Sequence, residues 1–242
     1  MPRLVLIPGL AADASTFAGQ QAAFAGAQVS DVHFRRDSLP AMAAALLAEH
    51  DGELLLAGAS MGGMIALECQ RQAPQRVRGL ALLGSSARPD SPEIAALRAS
   101  AFAMIDAGRY EEMIAMNVPF SFHADRLGEK ALTQAYVDML LRAGPGQLVR
   151  QNLAVAARAD SRPLLGAIAC PMLVVCGDAD AVTPLEHSRE IAAAVPGAEL
   201  VVIERCGHML TMERPAEVNA ALGNWLARFA RRSTPARTTG AQ

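Results

Sequence analysis

Gly58-Ala59-Ser60-Met61-Gly62 follows the apolar run Leu54-Leu55-Leu56-Ala57 and opens the helix-like stretch Met64-Ile65-Ala66-Leu67-Glu68-Cys69. A serine between a strand and a helix is placed for attack when the turn is tight. Glycines two before and two after it permit that turn, because side chains there would strike the neighbouring strand and helix. The same pattern occurs at ordinary helix starts, where Ser60 would only cap the helix. Two further residues favour chemistry. Asp180 lies just past the apolar run Met172-Leu173-Val174-Val175, and His208 just past Leu200-Val201-Val202-Ile203. A serine hydroxyl is a poor nucleophile near neutrality, and a histidine with an unperturbed pKa of about 6.5 takes its proton and returns it to a leaving group. A carboxylate on the other ring N–H fixes the imidazole tautomer and stabilises the imidazolium. Ser60, His208 and Asp180 therefore read as nucleophile, base and orienting acid. Asp178 competes for the last role, since it sits past the same apolar run.

Attack on a carbonyl also builds negative charge on oxygen, which needs donors already in place. The Met61 N–H lies at a helix N-terminus, where peptide dipoles favour an anion. A second donor is expected from the first loop, Pro8-Gly9-Leu10, where Gly9 lets the Leu10 N–H come close to a substrate oxygen.

Distant residues meet at one edge when parallel strands carry them there. Six apolar runs qualify as buried strands: Leu4 to Pro8, Gln28 to Phe34, Glu53 to Ala59, Val77 to Leu83, Pro171 to Gly177 and Ala198 to Glu204. Amphipathic stretches at Pro40 to Glu49, Ser60 to Ala73, Pro184 to Val195 and Pro215 to Ala230 separate most of them, which favours crossover helices and a mostly parallel sheet of about six strands covered on both faces. The alternation breaks between about Ser86 and Leu165, where only helical signals occur. Ser91, Pro92 and Gly108 frame one helix there, Tyr110 to Asn117 a second, Glu129 to Ala143 a third closed by Gly144 and Pro145, and Gly146 to Asp160 a fourth. The chain thus divides into a core at 1–85, a helical lid at 86–165, more core at 166–230, and a polar tail at 231–242 expected to be disordered.

With 242 residues, 52% of them hydrophobic and 19% charged, the chain supports one well-buried core carrying an insertion. A formal net charge of -2 offers no basic face for nucleic acid and no polybasic membrane anchor. No apolar stretch reaches the roughly 20 residues of a spanning helix, and the apolar start before Pro8 reads as the first strand rather than a cleaved leader. Cys69, Cys170, Cys176 and Cys206 lack paired metal-ligand spacing and read as free thiols, consistent with a cytoplasmic protein. His33 is expected in a strand, His50 near a helix end, His123 in the lid and His187 in a helix, all as structural residues. Arg158, Asp160 and Arg162 either hold the insertion's return segment by ion pairs or form a solvated charged surface, and the surface is the favoured reading. Aromatic and methionine residues of the lid, among them Phe102, Met104, Tyr110, Met113, Phe122, Tyr136 and Met139, are expected to pack, with some lining a cavity for an apolar acyl or alkyl group.

From Leu4 to about Phe229 the sequence resembles the capped α/β hydrolases. Gly58 to Gly62 matches their nucleophile elbow. Gly177, Asp180 and Pro184 resemble the family's acid loop, which favours Asp180 over Asp178. Gly207-His208 with Glu213-Arg214-Pro215 resembles the histidine loop. Pro8 departs from the pattern, since relatives commonly carry histidine there, and a loop hydrogen bond is expected to be lost. Phe34 to Ser38 departs as well, where a longer glycine-containing loop is frequent. The resemblance, which extends to pimeloyl-carrier-protein methyl ester esterases and 3-oxoadipate enol-lactonases, implies an α/β-hydrolase fold and a serine esterase for a small-molecule ester, with no metal or organic cofactor. Lactone, thioester or carbon-carbon bond hydrolysis would use the same residues, and a receptor-like hydrolase fold is the alternative of a different class. A dinucleotide-binding turn at Gly58 is disfavoured, because no acidic residue ends the next strand, Leu82-Leu83-Gly84-Ser85-Ser86.

Overall fold

In the computed structural model, which describes residues 2–230, six strands form one all-parallel sheet. Strand β1 (Arg3–Ile7) leads through α1 (Ala18–Ala23) to β2 (Gln28–Val29). Helix α2 (Leu39–Glu49) then precedes β3 (Leu54–Ala59), α3 (Met61–Gln72) and β4 (Val77–Leu83). Five helices follow without a strand: α4 (Pro92–Asp106), α5 (Tyr110–Ser121), α6 (Lys130–Ala143), α7 (Pro145–Ala156) and α8 (Arg162–Leu165). Strand β5 (Met172–Gly177), α9 (Leu185–Ala194), β6 (Glu199–Ile203), α10 (Leu210–Glu213) and α11 (Pro215–Ala230) complete the described chain.

The strand order β2-β1-β3-β4-β5-β6 puts β3 and β4 at the centre. Strands β3 and β5 are buried along their whole length, as continuous apolar runs under helices on both faces must be. Successive side chains point to opposite faces. Ile7, Leu54, Leu56, Leu80, Leu82 and Val174 pack with Met42, Leu46, Ile65 and Ile191 of α2, α3 and α9. Leu6, Leu55, Ala81, Leu173 and Val175 pack on the other face against Val218, Leu222, Trp225 and Phe229 of α11. Gly79 makes room there, because a Cβ would lie 2.6 Å from Phe229 and 2.8 Å from Trp225. A third apolar cluster joins Met113, Ile114, Phe122, Tyr136, Met139, Leu140 and Leu148 of the insertion to Ala11 and Ala12, with Leu10, Met209 and Met212 against it. The helical insertion thus sits on the loops that leave β1 and β6.

The structure departs from the sequence expectations at five points. The apolar run Gln28 to Phe34 is a strand only at Gln28–Val29, because Val32–Phe34 form a 3₁₀ turn in which the Phe34 N–H bonds the Asp31 carbonyl at 2.9 Å. His33 therefore lies in that turn and is fully buried, not in a strand. Arg158 is no surface charge: its side chain is 9% exposed and donates to Asp90 at 2.6 Å and to the Arg88 and Val155 carbonyls. Asp90 also receives Arg98 of α4, so one buried carboxylate ties the post-β4 loop to α4 and to the segment that follows α7. Burial depresses the Arg158 pKa, opposed by Asp90. Asp160 and Arg162 do pair with each other at an exposed site. Helix α5 runs past Asn117 to Ser121 through Pro119, and the fourth insertion helix ends at Ala156. All four cysteines are free, and burial lifts the Cys170 and Cys176 thiols to about 11. Among the described residues no helix is long and apolar enough to cross a membrane. The tail expected at 231–242 lies outside the described residues.

Candidate active site

Ser60 sits between β3 and α3 with φ 51° and ψ -117°, a left-handed conformation that a side chain rarely adopts. Its backbone is fixed on both sides: the Ser60 N–H bonds the Leu83 carbonyl at 2.9 Å, and its own carbonyl accepts from Gly63 N–H and from Ser85 Oγ at 2.8 Å. The flanking glycines are forced by space. A Cβ at Gly58 would lie 2.2 Å from the Gly62 carbonyl oxygen, and one at Gly62 would lie 1.9 Å from the Ile7 oxygen. The Ser60 side chain makes no capping bond to α3. It turns instead to His208, with Oγ 3.0 Å from Nε2.

The other ring nitrogen, Nδ1, lies 2.9 Å and 3.0 Å from the two Asp180 carboxylate oxygens. A carboxylate only accepts, so Nδ1 carries the proton toward Asp180 and Nε2 is left to accept from Ser60. The Asp180 side chain is fully buried at the end of the loop leaving β5. It also accepts from the N–H groups of Val182 and Thr183 and from Thr183 Oγ1, all at 2.8 to 2.9 Å. Burial alone would raise the Asp180 carboxyl, but the His208 charge and these hydrogen bonds outweigh it and hold the group below the usual carboxylate range. Burial alone would likewise lower His208, and the Asp180 charge and hydrogen bond carry its pKa above the ordinary value. Gly84, at the end of β4 with φ 55°, borders the pair, since a Cβ there would lie 3.1 Å from Asp180 Oδ2.

Asp178 goes elsewhere. It is exposed and accepts the Cys206 N–H at 3.1 Å, steadying the histidine loop without meeting His208. Met61 is the buried first residue of α3, and Leu10 follows Gly9, where a Cβ would lie 3.3 Å from Ser60 Cβ. Gly9 and Met61 thus lie beside the serine, one across space and one next in sequence.

Thr183 and Ser85 have no role in the sequence reading, and Glu213 has only a place in the histidine-loop motif. Thr183 bonds Asp180, and Ser85 bonds the Ser60 carbonyl. Buried Glu213 accepts from Gly207 N–H and from His123 N–H, each at 2.9 Å, and so joins the histidine loop to the insertion. Burial raises its pKa despite those two donors. Met209 N–H to the Ser121 carbonyl and the Arg205 to Asp125 ion pair make the same connection. The Glu213-Arg214-Pro215 motif marks this contact in the sequence, whereas its partner segment, Ser121 to Asp125, has no local pattern.

Similarity to known proteins agrees with this architecture. A pimeloyl-[acyl-carrier protein] methyl ester esterase of Neisseria meningitidis serogroup B is 32% identical over 193 residues, covering 76% of this chain and 72% of that protein. A thermophilic esterase from Thermogutta terrifontis, solved with malate bound, superposes with a TM-score of 0.82 at 28% identity, covering 94% of this chain and 90% of that one. The enol-lactonase from Burkholderia xenovorans LB400 shares the fold at a TM-score of 0.83 and 23% identity, over 93% and 91% of the two chains. Residues 2–215 match the family described by the alpha/beta hydrolase fold, and the chain belongs to it.

Proposed function

We propose that this protein is a serine hydrolase that cleaves a small or medium carboxylic ester through an acyl-enzyme, with Ser60, His208 and Asp180 as its catalytic residues. The observation that carries the reading is the continuous hydrogen-bonded row from Ser60 Oγ through His208 to the buried Asp180 carboxylate. The relative named for methyl ester hydrolysis and the esterase of similar structure support the ester as substrate class.

The chemistry follows from the row. Ser60 Oγ attacks the ester carbonyl while Nε2 of His208 takes the hydroxyl proton, and the carbonyl oxygen becomes an oxyanion held by the Leu10 and Met61 N–H groups. The intermediate collapses, the carbon-oxygen bond to the alcohol breaks, and His208 returns its proton to the leaving alkoxide. Water, deprotonated by His208, then attacks the acyl-Ser60 ester and releases the carboxylic acid, restoring the serine. Asp180 stays ionised throughout and stabilises the imidazolium. Every proton transfer and the oxyanion are served by groups of the chain, so the reading assigns no cofactor.

Residues 86–165 act as a lid in this reading. Their apolar cluster packs against Leu10, Met209 and Met212 of the loops that leave β1 and β6, so the border of the site is apolar, as an uncharged acyl or alkyl chain requires. A panel of p-nitrophenyl esters from acetate to decanoate tests the function. Turnover well above the buffer blank, at about 1 to 10³ s⁻¹ for the preferred chain length, is the expected result. Tight binding of the same esters with turnover no faster than the blank would point instead to a receptor-like protein.

A further inference from the structure

The loop that carries the Leu10 donor is held from the insertion, by side chains that the loop's own sequence does not announce. Ala11 follows Leu10 with φ 55°, a left-handed conformation for a residue that bears a Cβ. Such a conformation persists when its surroundings fix it. Here two fully buried polar side chains do so. Gln151 of α7 reaches across to accept the Ala11 N–H on Oε1 at 2.5 Å, and its Nε2 donates to the His33 carbonyl at 2.9 Å. The two contacts fix the amide orientation, since one requires an acceptor and the other a donor. His33 in turn donates from Nε2 to the Ala12 carbonyl at 2.7 Å. Gln147 donates to the same His33 carbonyl and Arg150 to the Phe34 carbonyl, so a single face of α7 binds this whole stretch of backbone.

The Ala11 N–H belongs to the peptide plane that adjoins the one carrying the Leu10 N–H, so fixing the first restricts rotation about Leu10 and aims the second. We propose that Gln151 and His33 are positioning residues of the oxyanion hole, and that the helical insertion is therefore part of the catalyst rather than only a cover. This rests on the serine-hydrolase reading above. The support for this first loop comes from far along the chain, from Gln151 on α7 and from His33 beyond β2. Neither residue touches substrate; both act through the Leu10 backbone. The consequence for turnover is that a lid displaced far enough to part Gln151 from Ala11 leaves the oxyanion donor unaimed even with Ser60 and His208 in register.

Steady-state kinetics with the preferred p-nitrophenyl ester and inhibition by an alkyl boronic acid, which forms a tetrahedral adduct with an active serine, provide the test on Gln151→Met and Gln151→Glu. Removing an oxyanion donor outright costs about 10²- to 10³-fold, and misaiming one should cost less, about 10- to 100-fold in kcat for Gln151→Met. KM should stay within about threefold, and boronic acid affinity should fall by a factor similar to that in kcat, because both report the tetrahedral state. Gln151→Glu keeps an acceptor for Ala11 and, held protonated by burial against the His33 carbonyl, also a donor for that carbonyl, so it should lie between wild type and Gln151→Met. The inference is overturned if Gln151→Met keeps kcat within threefold of wild type, if Gln151→Glu loses as much as Gln151→Met, or if the loss falls on KM alone. Should Gln151→Met not fold, His33→Gln, which keeps a donor for the Ala12 carbonyl, and His33→Leu carry the same comparison, with His33→Gln expected to retain the higher kcat and equality of the two overturning the inference. Boronic acid inhibition of wild type that vanishes in Ser60→Ala reports the underlying serine mechanism separately, so a failure of one is not mistaken for a failure of the other.

Discussion

Ser60→Ala should lower kcat on the preferred ester by about 10⁵- to 10⁶-fold while leaving the protein folded. The size follows from the role, because without Oγ no acyl-enzyme forms and hydrolysis must proceed by direct attack of water. The remaining donors and His208 still act on a bound ester, so a residual rate about 10³- to 10⁴-fold above uncatalysed hydrolysis is expected, and the variant must be measured against a buffer blank. The fold should tolerate the change well. Alanine at this position keeps the main-chain bonds to Leu83, Gly63 and Ser85, and only the bond to His208 Nε2 disappears. An unchanged melting temperature with turnover near wild type would remove Ser60 from the mechanism.

Asp180→Asn carries the second large effect, about 10⁴-fold in kcat, because an amide in place of the carboxylate no longer enforces the Nδ1–H tautomer that leaves Nε2 free for the serine proton. The change has a pH signature as well. In the wild type the Asp180 charge and hydrogen bond overcome burial and hold the His208 pKa above 6.5. The neutral base therefore accumulates only as pH rises through that elevated value, and kcat/KM should climb with an inflection above 6.5. With asparagine the burial contribution remains and the opposing charge is gone, so the residual activity should inflect at a lower pH than wild type. Asp178→Asn is the control that sequence makes necessary. Asp178 meets the Cys206 N–H rather than His208, and its replacement should change kcat by less than about tenfold without moving the inflection. Equal losses in the two variants would mean that the acid has been misassigned.

Much of the site is legible in the sequence because its signals are local. The elbow is a five-residue pattern whose glycines are dictated by contacts with adjacent elements, and strands β3 and β5 are uninterrupted apolar runs that only a doubly covered sheet accommodates. The order of Ser60, Asp180 and His208 can be read because each follows such a run. The choice between Asp178 and Asp180 is less legible from residues alone. Both leave the same strand, and what separates them is a turn in which Val182 and Thr183 direct their N–H groups onto Asp180. The strand expected through Phe34 stops at Val29, since β-forming side chains at Val32 and His33 find burial through a 3₁₀ turn instead. Arg158 reads wrongly as a surface charge because its partner, Asp90, is 68 residues away and nothing between them in sequence marks the pairing. Gln151 is the plainest case of the same limit: a polar residue on an otherwise ordinary helix, fully buried against a loop 140 positions earlier.

The central claim is that an ester's acyl group passes through the Ser60 oxygen. Wild-type protein mixed with a p-nitrophenyl ester, quenched in acid within the first turnover and digested, should yield the Ser60 peptide carrying the acyl group as a covalent ester, in an amount matching the initial burst of p-nitrophenol and absent from Ser60→Ala. Turnover with the acyl group found on another residue, or with no covalent adduct at any quench time while the burst is present, would contradict it.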